Sequence, residues 1–209
     1  MSRRSWGQRA ALVGVLAALL VNTVACGDDP DQRGDDVYQP SPDATPSISP
    51  LDPPADYHRV QGDGFVISAP GEFQQLTEES SNGEPMMILE LPSQVKALPQ
   101  RVAVVRDVDP KQDAAQQSFA LEAAKSAAGP SAEVSRVSFP APEGESAFLI
   151  RWKETRPGDG SPVEVTYWQL MRQVSDELIL NVVAFAPSEE FETSEVSKIL
   201  LTFRAGAQI

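Results

Sequence analysis

The sequence predicts an α+β fold in which an antiparallel β-sheet meander is flanked by helices. Three observations predict it. Ala147–Thr155, Val163–Val174 and Leu178–Phe185 are long β-type runs whose connections, residues 156–162 and 175–177, are short enough to require antiparallel neighbours. An alanine-rich stretch, Asp113–Ala128, lies between Asp109-Pro110 and Gly129-Pro130, punctuation that opens and closes a helix. Near the end, Phe191, Val196, Ile199, Leu200 and Phe203 approximate a period of 3.6 residues.

The elements follow in order. Phe65-Val66-Ile67-Ser68 reads as a short strand closed by Ala69-Pro70-Gly71, with His58 at the start of an earlier strand. Met86–Leu91 and Arg101–Val108 are further strands, rich in aliphatic and branched residues. Asp109 is then expected to cap a helix with Pro110 in its first turn, and the face carrying Ala115, Phe119 and Ala123 to be buried. A weaker strand near Val134–Phe139 precedes the three-stranded meander. In the last helix Ser188 is placed to cap, and Glu189 and Glu190 complement the positive helix start.

The chain before Tyr57 is patterned differently. Arg3, Arg4 and Arg9 are followed by the apolar run Ala10–Val21 and then by Asn22-Thr23-Val24-Ala25-Cys26. A basic start, a short apolar stretch and small residues at its end make a secretory signal, residues 1–25. The run is shorter than the roughly 20 residues a spanning helix needs. Cys26, the one cysteine in the chain, stands where such a signal is cut. Thr23-Val24-Ala25-Cys26 resembles the lipobox of bacterial lipoproteins, departing from it at Thr23, where an aliphatic residue is usual. The resemblance implies that Cys26 is lipidated (palmitate among its acyl chains) and becomes the mature N-terminus. Arg3-Arg4 also fits a twin-arginine export signal, so the export route stays open.

Residues 26–56 hold seven prolines and eight aspartates with few aliphatics. Such a segment buries too little apolar surface to offset its ordering entropy, which predicts a disordered tether. Its reach lies between ~30 Å as a coil and ~90 Å fully extended. The Asp28, Asp29, Asp31, Asp35 and Asp36 cluster lacks the loop pattern of a calcium site and reads as a solvated, membrane-repelled tail. Residues 57–209 then form one domain.

Composition narrows function. The 209 residues carry 30 acidic and 17 basic side chains, one His and one Cys, for a net charge of −13. One cysteine excludes an internal disulfide, and one His with one Cys excludes the common zinc sites. An acidic chain is unsuited to nucleic acid, whose phosphates need Lys and Arg. The signal carries +3, the tether −7 and the domain −9. Anionic headgroups repel the tether and the domain, which leaves the acyl chains to hold the protein at the membrane.

The domain opens with Gly64-Phe65-Val66-Ile67-Ser68-Ala69-Pro70 and closes with Ile199-Leu200-Leu201-Thr202-Phe203-Arg204. With the strand, helix and meander layout between them, it resembles the LpqN/LpqT-like lipoproteins of actinobacteria, with a PsbP/Mog-type α/β/α sandwich domain. That resemblance implies the fold and an extracytoplasmic, membrane-anchored location. It implies no catalytic motif and no cofactor.

The residues agree on chemistry. His58 has no nucleophile or orienting carboxylate beside it in sequence, no Gly-x-Ser-x-Gly elbow occurs, and phosphate-binding and dinucleotide fingerprints are missing. No catalytic, metal-binding or cofactor-binding residue is assigned. Glu143/Glu145 and Glu154/Glu164 are the carboxylate pairs that a hydrolase would use if they met in space. Both faces of the meander carry large apolar residues, as a sheet covered on both sides requires. Where part of a face stays uncovered, Trp152, Tyr167, Trp168 and Arg172 are the candidate binding surface. The expected function is a non-catalytic envelope lipoprotein whose domain binds a protein partner in envelope assembly or transport. A lipid or hydrophobic-solute carrier is the alternative, and a carboxylate-dependent hydrolase a weaker one. The expected partners are therefore the membrane, through the anchor, and an envelope protein or lipid.

Overall fold

The computed structural model describes residues 48–80, 83–91, 98–141, 145–158 and 160–206. The expected signal, Cys26 and the expected tether as far as residue 47 lie outside the described residues. Among the described residues ten strands and three α-helices form the α+β body expected from the sequence.

Seven strands make the main antiparallel sheet: β3 (Gln74–Glu79), β4 (Pro85–Leu91), β5 (Gln100–Val108), β6 (Ser135–Ser138), β7 (Ala147–Arg156), β8 (Val163–Ser175) and β9 (Leu178–Pro187). Their spatial order is β3-β4-β5-β9-β8-β7-β6. Two meanders, β3–β5 and β6–β9, thus meet through β5 and β9, and helix α1 (Ala114–Ser126) carries the chain from one outer half to the other. The second sheet holds β1 (Tyr57–Gly62), β2 (Phe65–Pro70) and β10 (Arg204–Ala205), in the order β1-β2-β10. Asp63-Gly64 closes the β1–β2 hairpin, and Gly64 takes φ +79°, a conformation that costs glycine little. A Cβ on Gly62 would fall 2.1 Å from the Phe65 ring, so the same hairpin needs a second glycine.

The main sheet buries both faces, each against a different cover. On one face Leu89, Val102, Leu149, Leu170, Leu180 and Val182 pack under β2 and the terminal helices α2 (Ser188–Phe191) and α3 (Val196–Leu201). On the other, α1 lies over β6, β7 and β8, covering Phe148, Ile150, Trp152, Tyr167 and Ile179. The first cover is part sheet and part helix, so the meander is flanked by helices on both sides with a small sheet added on one.

Three local expectations need correction. Helix α1 starts four residues later than Asp109-Pro110 suggests. Asp113 is its cap, accepting from the Gln116 N–H at 2.7 Å while Gln116 Oε1 accepts from the Asp113 N–H at 3.3 Å, a reciprocal capping box. Asp109 instead sits at φ +52° and donates its N–H to Glu177 O, a contact that prolongs the end of the β5–β9 ladder. The buried face of α1 carries Ala114, Ser118, Leu121 and Glu122, while Ala115, Phe119 and Ala123 are half-buried. The terminal helix is broken into α2 and α3. Ser188 is a helical residue rather than the cap, and its hydroxyl bonds Thr166 Oγ1 at 2.8 Å.

The chain also touches the body before Tyr57. Ile48 packs on the core, the Leu51 N–H donates to Leu201 O at 2.8 Å, and Arg204 Nη2 donates to Leu51 O at 2.9 Å. Residues 48–56, which the sequence assigns to the tether, therefore lie along α3 and β10.

Candidate functional site

The β7–β8 hairpin carries every residue of the sequence-derived surface, and strand pleating divides them. Trp152 and Tyr167 are direct cross-strand partners on the α1 face. Trp168 stands opposite Arg151, and Arg172 opposite Ala147, on the face that packs against the second sheet. The four residues are not one surface. Two belong to each side of the sheet, because adjacent residues of a strand point in opposite directions.

On the α1 face, aromatic rings run across three strands. Trp152 and Tyr167 stack at 5.0 Å with their planes 5° apart, and Tyr167 meets Phe185 at 5.3 Å. Phe185 is the register partner of Arg101, which is bonded through Nε to Glu90 at 2.8 Å. Trp152 and Tyr167 are only 2% and 6% exposed, so this row is core. Its open end is a charged cluster. Glu154 accepts from Trp152 Nε1 at 2.8 Å and from Lys125, and pairs with Arg156 Nη2 at 2.7 Å. Lys125 also lies over the Trp152 ring at 4.9 Å, and Arg156 Nε donates to the Tyr167 hydroxyl at 3.2 Å.

Burial alone would raise the Glu154 carboxyl. The hydrogen bonds from Lys125 and Trp152 and the charges of Lys125 and Arg156 outweigh it and hold the group below its ordinary value. Burial also raises the Tyr167 hydroxyl, against the opposing Arg156 charge. A lowered folded-state pKa means that the unfolded chain binds the proton first. The stabilisation from Glu154 is therefore complete above the unfolded glutamate pKa and is lost as pH falls from about 4.3 through the folded value. Glu154→Gln is expected to cost about 1–3 kcal/mol at neutral pH and to flatten this acid-side loss, measured by urea unfolding across the acid range.

On the opposite face, Trp168 is half-buried against Phe191, with ring centroids 5.6 Å apart. The Arg151 guanidinium lies 5.7 Å from the Trp168 ring centre, and its Nε donates to Ser135 Oγ at 3.0 Å. Lys153, next on this face, is held by Glu133 at 2.9 Å and Glu164 at 3.7 Å. Arg172 is tied down by Glu145, with Nη2 at 2.6 Å. Arg151 was not among the residues singled out from sequence. The signal for it was the alternation of Leu149, Arg151 and Lys153, which puts two cations on one face, Arg151 directly opposite Trp168.

The Glu154/Glu164 pair does not come together as a hydrolytic dyad would. Glu154 and Glu164 project from opposite faces of the sheet, since their register partners are Val165 and Thr155. Glu145 serves Arg172, and Glu143 lies outside the described residues. His58 is exposed on β1, opposite Ala69. Among the described residues no group of three or more His, Cys, Asp and Glu is placed to hold a metal ion. Among the same residues no helix is long and apolar enough to cross a membrane.

No protein-family model matches the chain, and no curated protein matches it. Among solved structures it is similar to LpqN, described as involved in cell envelope biogenesis of Mycobacterium tuberculosis. The identity is 17% and the TM-score 0.45, over 68% of this chain and 86% of that one. The likeness is a distant one.

Proposed function

We propose that this chain is a lipid-anchored envelope protein without catalytic activity, whose extracytoplasmic domain binds a protein partner. One observation carries the reading: the single cysteine stands directly after Thr23-Val24-Ala25, at the end of a basic-then-apolar start and ahead of an acidic, proline-rich segment. Each buried methylene contributes about 0.8 kcal/mol, so one acyl chain holds weakly and two hold stably. Held in this way, the domain works at the membrane surface without a spanning helix.

The ion pairing of the hairpin argues against catalysis. The ionisable groups of the hairpin are committed to one another: Glu154 to Lys125 and Arg156, Arg172 to Glu145, Lys153 to Glu133 and Glu164. A general acid or base needs freedom to exchange its proton with substrate, and these pairings oppose it.

Two experiments test the reading. Growth in globomycin, which blocks the lipoprotein signal peptidase, is expected to accumulate the uncleaved precursor, and Cys26→Ser to do the same without the drug. Normal processing in the presence of globomycin would sink the anchor. Native mass spectrometry of the lipoprotein extracted from its own membranes is expected to show a protein adduct. A bound lipid beyond the protein's own acyl chains, with no protein adduct, would favour the carrier instead.

A further inference from the structure

In an acidic domain, a cation without a counterion on a structured face is the place where an outside anion gains most. Most of the described cations pair with carboxylates within the fold: Arg101, Arg106, Lys125, Lys153, Arg156 and Arg172 do, and so do Lys198 and Arg204. Arg151 makes no ion pair among the described residues. Arg59 and Lys111 make none either, but both are exposed at positions where water serves them. Arg151 is half-buried and fixed in place. Its Nε is used by Ser135 Oγ and its plane lies by Trp168, which is itself braced on Phe191. The two terminal nitrogens keep their hydrogens for another acceptor.

We propose that Arg151 and Trp168 form a docking site for a side-chain carboxylate in an acidic, partly apolar segment of a protein partner, a proposal that rests on the partner-binding reading above. The guanidinium edge takes both carboxylate oxygens, and the Trp168 ring takes an adjoining apolar side chain. Three features favour a carboxylate over a phosphate. Arg151 offers one unbalanced positive charge, which a carboxylate matches and a phosphate exceeds. Lys153, the nearest further cation on this face, is already held by Glu133 and Glu164. Those two carboxylates add repulsion that grows with the charge of the incoming group. Affinity is helped because the Ser135 bond and the ring contact already order the arginine, leaving little side-chain entropy to lose. The domain as a whole, at net −9, repels an acidic partner at long range, so recognition depends on this local exception.

The test uses the full mature lipoprotein in detergent, labelled on its tryptophan indoles. After residue 25 the only tryptophans are Trp152 and Trp168, so one signal reports the site and the buried one serves as an internal control. The probe is an acetylated, amidated leucine–glutamate–leucine peptide, compared with its glutamine counterpart, with inorganic phosphate and with phosphatidylglycerol vesicles. The glutamate peptide is expected to shift the Trp168 indole saturably in about the millimolar range while leaving Trp152 in place. The glutamine peptide should bind about tenfold more weakly. Arg151→Gln should abolish the shift, and Arg151→Lys should not restore it, since an ammonium lacks the two-pronged edge. The proposal is overturned if the two peptides act alike, if Arg151→Gln responds normally with Trp152 unmoved, or if phosphate or vesicles shift Trp168 more strongly than the peptide. Should the site fail while native mass spectrometry still shows a protein adduct, the partner stands and binds elsewhere. Loss of the adduct removes the partner reading itself.

Discussion

Trp152→Ala is expected to destabilise the domain by about 3–5 kcal/mol, whereas Trp168→Ala should leave it folded at well under half that cost. Each is an indole inside a long strand, so the contrast depends on what covers it. Trp152 is 2% exposed, stacked on Tyr167, capped by Lys125, and bonded through its indole N–H to Glu154. Removing it opens a cavity between α1 and the sheet and deprives Glu154 of one donor. Trp168 leans on Phe191 and Arg151 at the margin of its cluster, where neighbours and water fill part of the space. Urea unfolding of both variants gives the two values. Equal losses would mean that the two faces of the hairpin are equally buried, and the site on the Trp168 side would then have no accessible ring.

How much of this could be read from sequence depended on whether an element's apolar pattern matched its burial. The strands Met86–Leu91, Arg101–Val108 and the meander β7–β9 were legible because their alternation or apolar runs report a covered sheet directly. Strand β3 was not, since all six of its residues are exposed and its pairing with β4 alone makes it a strand. Helix α1 was found but rotated. Its inward face includes Ser118, Glu122 and Lys125, and hydropathy assigns such residues to water. Two are explained by partners that sequence separation hides: Ser118 accepts from Arg136 Nε at 2.7 Å, and Lys125 meets Glu154. Buried Arg136 lies 3.7 Å from the Phe119 ring centre and 4.2 Å from that of Phe148, a polar-aromatic seam between helix and sheet. The faces of the hairpin were legible too, since alternation already separates Trp152 and Tyr167 from Trp168 and Arg172. What alternation lacks is the cover on each face, and that decides which aromatic is core and which is surface.

Thr202→Val is expected to cost about 1–3 kcal/mol although it keeps the size and shape of the side chain. Strand β10 pairs with β2 through Arg204 and Ala205 only, opposite Val66 and Phe65. Beyond that pair the edge of β2 at Ser68 has no strand beside it, and a side chain takes the strand's place. Thr202 Oγ1 accepts from the Ser68 N–H at 2.9 Å and lies 3.1 Å from Ser68 O and 2.7 Å from Ile199 O. A hydroxyl has one proton, so it donates to one of these carbonyls at a time while still accepting from the amide. Valine supplies neither function and leaves a buried N–H without a partner, with Thr202 only 2% exposed and no water at hand to replace it. Serine keeps the hydroxyl and loses one methyl, so Thr202→Ser should cost about 1 kcal/mol or less, the reverse of what hydrophobic burial alone predicts. Native-state hydrogen exchange adds a site-specific reading: the Ser68 amide should lose protection in the valine variant and keep it in the serine variant. If both variants protect that amide equally, the hydroxyl is not standing in for a strand, and the end of the chain is held to β2 by Phe203 packing on Phe65 instead.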